Sequence, residues 1–359
     1  MQQTRKKEYF VASNSHDGFC SYYEEVFKST EYDRLFIIKG GSGTGKSYLM
    51  KYLCRKCEAI GADIEYIYCS SDPTSLDGAI IEKNGIRIGI IDGTAPHTRC
   101  TEYPGVIDEL INLGVFWNSE ELKASKKSIV ALINEKRQCF TRAYDFLGIC
   151  KSLYATHLKI LTPIIDSSKI AEQISRMIGK TKPEQKPRET TRLISGRSMF
   201  GAYRFRTVEN ISQRTVIVSN DFSSATIYLS KLADFLRDKR QSFLRIASPD
   251  SPKICEGIYI PAMDTCYMCE DRRIVNCDSF KKINMRRFLH QDLLSKSRRE
   301  LRMIEADIRR FENEAQECLK AAGRMHFELE SIYSHAMDFT AKEKYSEHIA
   351  KRIITYLGN

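Results

Sequence analysis

Residues 34–53, RLFIIKGGSGTGKSYLMKYL, limit what the 359-residue chain can fold into more than any other stretch. Leu35 to Ile38 is an apolar run that reads as a buried strand. It leads into Gly40-Gly41-Ser42-Gly43-Thr44-Gly45-Lys46-Ser47, then into an amphipathic helix carrying Leu49, Met50 and Leu53. Strand, GxxxxGK[ST] and helix in that order form the setting of a phosphate-cradling P-loop. The glycines permit positive φ and let backbone N–H groups approach a polyphosphate. The helix beginning near Gly45 turns its positive end to the same phosphates. Lys46 supplies a mobile charge for the β- and γ-phosphates, and the Ser47 hydroxyl suits Mg²⁺.

The length suggests two domains, and 42% hydrophobic with 28% charged residues is a globular composition. The N-terminus, MQQTRKKEYF, has no apolar core of a secretory signal, and no run is long and apolar enough to span a bilayer. Twelve scattered cysteines beside a nucleotide motif suggest reduced thiols and a cytoplasmic location. The net charge of +10 falls mostly on residues 181–359. Those charges are dispersed and mixed in sign, so they read as solvated helix faces, and nucleic acid is not indicated.

Further along, residues 8–13 suggest a strand and Gly18 to Lys28 a short helix. Ile64 to Cys69 is a second strand, running into the turn Ser70-Ser71-Asp72-Pro73. Ile86 to Ile91 is a third, ending in Asp92-Gly93-Thr94-Ala95-Pro96-His97. This is the order of a parallel α/β sheet, whose ligands lie beyond the carboxyl ends of its strands. Asp92, at such an end, is the candidate Mg²⁺ carboxylate. No acid follows it at position 93, which points to slow hydrolysis or to transfer to another acceptor. Asp72 reads as a turn residue and His97 as a loop residue, each with a secondary claim on the site. Arg99, Arg137 and Arg142 are available to stabilise transferred charge, and nothing in the spacing selects among them. Tyr103-Pro104-Gly105 suggests a short helix from Val106 to Leu113. From Ser119 a long helix shows a coiled-coil-like seam through Leu122, Ile129, Leu132, Cys139, Ala143, Phe146, Cys150 and Leu153, interrupted by Ser125 and Lys136. Ile164 to Ile178 makes one more amphipathic helix. Residues 179–192, GKTKPEQKPRETTR, read as a linker.

The second half repeats the first. RTVIVSNDFSSATIYLSKL (214–232) aligns with residues 34–52 at an offset of 180, and Ser248-Pro249-Asp250 mirrors Ser70-Ser71-Asp72. Gly257 falls opposite Gly78, and the strand around Cys266 to Cys269, with Glu270 and Asp271, opposite the Asp92 strand. A seam from Leu301 to Ile332 matches the earlier one at an offset of 179. The chemistry is lost: Gly40, Gly45, Lys46 and Ser47 become Asn220, Ala225, Thr226 and Ile227. Arg204, Arg206, Arg245, Arg272 and Arg273 are the arginines this copy could lend. Cys255, Cys266, Cys269 and Cys277 have metal-ligand chemistry, but residues three apart on a strand face opposite sides. Cys54 and Cys57, on the helix after the glycine loop, read as packing.

FIIKGGSGTGKSYLMKYL, CSSDPTSLDGAII, and IGIIDGTAPHT with EYPGVIDELINLG resemble a little-studied family of bacterial P-loop proteins with two tandem NTPase-like domains. The resemblance implies ATP binding and no particular substrate. It also implies an intact loop in each copy, from which Asn220–Ile227 departs. Asp92-Gly93-x-x-Pro96 is loosely similar to nucleotide kinases of the adenylate kinase type, without their arginine-rich lid.

The expectation is two tandem α/β P-loop NTPase-like domains, each three-layered with a parallel sheet and a long helical arm: residues 1–178, a linker at 179–192, and a degenerate copy at 193–359. The first binds Mg-ATP through Gly40, Gly41, Ser42, Gly43, Thr44, Gly45, Lys46 and Ser47, with Ser47 and Asp92 on Mg²⁺ and Lys46 and Asp92 in the catalytic roles. It hydrolyses ATP slowly, while the second domain contacts it as a structural or regulatory partner. The alternatives are a kinase for a nucleotide or other small molecule, and an ATP-controlled switch that engages a protein partner through the arms.

Overall fold

A computed structural model describes residues 6–179, 181–270 and 281–358. In the first half β1 (Lys7–Phe10) precedes a hairpin of β2 (Ala12–Ser15) and β3 (Gly18–Ser21), then α1 (Tyr23–Val26). β4 (Arg34–Lys39), α2 (Lys46–Glu58), β5 (Asp63–Tyr68), β6 (Leu76–Lys83), β7 (Ile86–Asp92) and β8 (Asp108–Asn112) follow. α3 (Ser119–Ala124) and the arm α4 (Lys126–Leu161) lead to α5 (Ser167–Ile178). The second half repeats this with β9 (Glu189–Arg192), β10 (Ser195–Ser198), β11 (Gly201–Arg204), α6 (Thr207–Ile211), β12 (Arg214–Val218), α7 (Ser224–Asp238) and β13 (Phe243–Ala247). β14 (Cys255–Ile260), β15 (Thr265–Cys269), β16 (Lys281–Ile283), the arm α8 (Gln291–His335) and α9 (Phe339–Tyr356) complete it.

The protein is mixed α/β, with two six-stranded, mostly parallel sheets. Their orders are β1-β5-β6-β7-β4-β8 and β9-β13-β14-β15-β12-β16, which are the same order strand for strand. In each, one strand runs against the others: β6 between β5 and β7, and β14 between β13 and β15. The expected wholly parallel sheets are corrected by these strands, which follow the preceding strand after a short turn that allows only antiparallel return. The helix expected at Val106–Leu113 is the edge strand β8 followed by a 3-10 turn at Leu113–Phe116, and the helix expected from Gly18 is β3 followed by α1. The linker is shorter than 179–192, because Glu189–Arg192 pairs in parallel with β13.

Alternation along the strands divides the core. Phe36 and Ile38 of β4 face α2, against Leu49, Met50, Leu53 and Cys54, while Leu35 and Ile37 face the other way. There they share one apolar cluster with Ile217 of β12, Ile246 of β13 and Met268 of β15, padded by Phe27 and Val208. Each sheet therefore has its longer helices on one face and, on its second face, the other lobe together with the short helices α1 and α6.

The halves also exchange their last helices. α9 lays Ile349, Ala350 and Ile353 onto the first sheet's outer face. α5 lays Ile170, Ile174 and Ile178 onto the second sheet's, beside Tyr228 and Leu232 of α7. The structural lobes thus cross the expected boundary between residues 178 and 193. A pseudo-twofold axis relates them. Phe10 and Leu193, each two residues before its hairpin, exchange N–H···O bonds of 2.8 and 2.9 Å. Trp117 bridges Met337, and Ile165 bridges Leu289. Those two bridges are equivalent at an offset of 172, which also pairs buried Ala143 and Leu147 with Ala315 and Leu319 in the seam where the arms pack. The offset of 179 read from the heptads is thus one heptad too long, because a seven-residue pattern matches itself equally well after a slip of seven.

Ile353 is fully buried on the first lobe although it comes from the end of the chain. Ile353→Ala is expected to lower the unfolding free energy by about 2–5 kcal/mol. Urea denaturation measures it, and a loss below about 0.5 kcal/mol would mean that α9 does not pack there.

Candidate functional site

The loop between β4 and α2 turns through left-handed glycines, with φ +71° at Gly43 and +77° at Gly45, the N-cap of α2. Gly43 tolerates no side chain for a second reason: a Cβ there would lie 2.5 Å from the carbonyl oxygen of Glu330. The Lys46 ammonium folds back onto the carbonyls of Gly40 and Gly41, at 3.0 and 2.8 Å, and lies 3.6 Å from the Asp92 carboxylate. β4 and β7 are adjacent and parallel, with Ile38 beside Asp92, so the sheet register itself brings these groups together. Ser47 Oγ, on the first turn of α2, accepts the Leu76 N–H at 2.9 Å. One Asp92 oxygen is held by the N–H and hydroxyl of Thr94, at 2.9 and 2.6 Å. The other faces Lys46. Burial pushes the Asp92 carboxyl above the usual carboxylate range, against the pull of Lys46.

The loop forms one wall of a cavity of about 640 Å³. The remaining walls come from both halves: the turns after β5 and β7, the first arm with Lys136, Arg137, Phe140 and Tyr144, and α8 with His326, Glu330 and Tyr333. Phe19, Phe140 and Met199 are among its apolar lining. α8 presses on the glycine loop itself. Tyr333 packs at a tilt against Trp117, with ring centroids 5.7 Å apart, and both rings border Gly41. Glu330 lies on Gly43, with His326 Nε2 3.5 Å from its carboxylate. Burial and the nearby Asp72 raise the Glu330 carboxyl, while Lys46, the Gly43 N–H and Lys136 pull it down. Burial, with Lys136 and Lys46, drops the His326 pKa to about 4, so its ring is neutral at pH 7.

The expected loop residues, Gly40 to Ser47, and Asp92 all line this cavity. Asp72 does too, but its carboxylate is committed to its own turn, accepting from the N–H and hydroxyl of Thr74 and the hydroxyl of Ser75. His97 pairs with Asp77 at 3.2 Å and packs at a tilt against the rings of Phe19 and Tyr23. Asp77 is the unpaired residue of a β-bulge, which turns its side chain into the site. Of the three nearby arginines only Arg137 lines the cavity. Arg99 is buried on Ser29 and Glu102. Arg204 is paired with Glu209 and Arg245 with the carbonyls of Pro252 and Ile254. Arg272, Arg273 and Cys277 lie outside the described residues. Cys266 and Cys269 face different core clusters, and Cys54 and Cys57 are packed in the first lobe's core. His16, Asp250 and Glu312 approach one another around Arg197, whose guanidinium takes both carboxylates and makes the group an ion-pair cluster.

In the second lobe, strand register sets Cys269 at the position of Asp92, one residue before the expected Glu270. Glu330, His326 and Lys136 correspond, at the offset of 172, to Leu158, Tyr154 and Ile308. Sequence reading missed the contribution of α8 because long-range docking has no local signature. Lys136, on α4, does carry a local signal, as a charge interrupting an apolar seam. Comparison with protein-family models, curated proteins and solved structures returned no match.

Glu330→Gln is expected to raise the melting temperature at pH 7.5, with a smaller gain near pH 4.5. The folded state holds this proton more tightly than the unfolded chain, so wild-type stability falls as pH climbs from the ordinary glutamate range through the raised value. Thermal melts of both proteins at the two pH values check this, and a gain independent of pH would refute burial of the carboxylate against the loop.

Proposed function

We propose that the first lobe is a P-loop NTPase fold that binds Mg-ATP and hydrolyses it slowly, with the second lobe roofing the site. The observation that carries this reading is the loop geometry: two left-handed glycines, Lys46 held over the loop, and Asp92 3.6 Å away, all opening on a cavity large enough for a nucleotide. The N–H groups at the start of α2 and its positive helix end bind phosphate. Lys46 exchanges two carbonyls and Asp92 for phosphate oxygens, gaining charge-assisted bonds. Lys136 and Arg137 add positive potential from the arm. The Ser47 hydroxyl and the Asp92 oxygen facing Lys46 are hard oxygen donors that suit Mg²⁺, which when bound would neutralise phosphate charge.

Slow turnover follows from the surroundings of the loop. No carboxylate follows Asp92, and Glu330 brings negative charge close to Gly43, where it opposes an incoming triphosphate. A second reading, phosphoryl transfer to a small acceptor, is favoured by one feature: the cavity that holds the loop is also lined by the Asp77–His97 pair and Phe19.

Purified protein incubated with Mg-ATP is expected to release ADP and phosphate in equal amounts. Lys46→Ala is expected to weaken ATP binding about 10- to 100-fold, the worth of a charge-assisted bond. ADP without matching phosphate, appearing only when candidate metabolites are supplied, would replace hydrolysis by the transfer reading. Absence of nucleotide binding by the wild-type protein would overturn both.

A further inference from the structure

Lys342, on the second turn of α9, is 2% exposed. Its ammonium is aimed at the start of α2: Nζ lies 2.9 Å from where a Cβ on Gly45 would stand. It rests 4.5 Å above the ring of Tyr48, on the first turn of α2, and 5.6 Å from the ring of Phe339. Among the described residues no carboxylate comes within ion-pair distance. The adjacent Glu343 exerts only a longer-range pull, and burial lowers the ammonium's pKa.

This is an unfavourable place for a cation. The N-terminal turn of a helix carries positive potential from its unpaired N–H groups. A buried ammonium has three donors to satisfy, and an aromatic face replaces only part of its hydration. The other loop-side charges are balanced internally, Lys46 by Asp92 and Glu330 by the Gly43 N–H and nearby lysines. Lys342 faces the α2 N-terminus with no carboxylate within ion-pair distance among the described residues.

The pseudo-twofold axis supplies an internal control. The residue equivalent to Lys342 is Ile170, which is fully buried in the core that contains Ala225, the counterpart of Gly45. An aliphatic side chain therefore satisfies the packing at this position where the loop has lost its phosphate chemistry. The lysine occurs where the loop is intact. Packing needs no charge here, and an anion shared by Lys342 and the N–H groups of the α2 N-terminus would need one.

We infer that Lys342, delivered by the last helix of the second half, is a phosphate ligand of the first-lobe nucleotide site. The inference rests on the proposed nucleotide binding. It means that the site is complete only when α9 is docked, so residues from opposite ends of the chain bind one polyphosphate.

The test compares the wild type with Lys342→Met and Lys342→Arg in the full chain, by calorimetric titration with Mg-ATP and with tripolyphosphate. Met keeps the length and the contact with Tyr48 and Phe339 while removing the charge. Lys342→Met is expected to weaken both ligands about 10- to 100-fold, the worth of a charge-assisted bond. Its ligand-free melting temperature should be unchanged or higher, and Arg should recover most of the affinity. Wild-type affinity for both ligands in the Met variant would overturn the inference and leave nucleotide binding intact. Loss for ATP alone would overturn it too, because Lys342 would then touch the nucleoside. A wild-type protein that binds neither ligand would instead sink the underlying reading, and the inference with it.

Discussion

The apolar stripe of α9 has one sheet face to cover, and that face belongs to the other half of the chain. Ile349, Ile353 and Leu357 are wholly removed from water, each worth roughly 2 kcal/mol against exposure. α5 makes the reciprocal contact on the second lobe. Neither helix can leave without exposing both its own stripe and a sheet. Because α9 is fixed by this burial and begins four residues after α8 ends, the end of α8 has little freedom. The Trp117–Met337 bridge and the Asn118 N–H to Ala336 carbonyl bond, 2.7 Å, hold the joint at the edge of the first sheet. The arm is thereby carried over the glycine loop. The roof of the cavity is a consequence of where α9 must pack.

That constraint gives the second lobe a role independent of its own loop. Its loop has no lysine or hydroxyl in the required places, and its strand end carries Cys269 where the first has Asp92. Its seam still fixes the arms: Ala315 and Leu319 pack on Ala143 and Leu147, small residues allowing close approach and leucines filling the gap. Rigid arms can aim a Glu, a His and a Tyr at a loop more than two hundred and eighty residues earlier in sequence. A flexible arm would lose that aim to conformational entropy.

Most of the fold was readable where local patterns were strong. The loop, its strand and helix, the long arms and the repeat all follow from apolar periodicity and glycine chemistry. β6 and β8 were not readable as strands. LDGAIIEK begins with turn-like residues, and Leu113 and Gly114 after DELIN gave β8 the look of a helix end; only pairing with β5, β7 and β4 decides them. The one-heptad error in the repeat has a different origin, since a seam specifies phase and not absolute register. Lobe boundaries were also hidden, because α5 and α9 have the same amphipathic character whichever sheet they cover. In the site, Lys46, Ser47 and Asp92 were legible from motif and strand order. Glu330, His326 and Tyr333 were not, because each looks like an ordinary helix residue until the helix is docked.

The two lobes differ in charge at a set of equivalent positions that all surround one loop. Lys46, Asp92, Lys136, Glu330 and Lys342 correspond to Thr226, Cys269, Ile308, Leu158 and Ile170 across the pseudo-twofold axis. Buried charges are costly singly and tolerable together, since each removal leaves a partner uncompensated. Losing the whole set avoids that cost, and the second lobe has lost the whole set. Keeping the set makes sense only if the charges retain work that aliphatic side chains cannot do. In the first lobe they gather near the start of α2, with Lys46 against Asp92 and Lys342 without a carboxylate in ion-pair distance among the described residues. On the proposed reading, the surplus lysine charge beside the α2 N–H groups favours an anionic ligand over a neutral one.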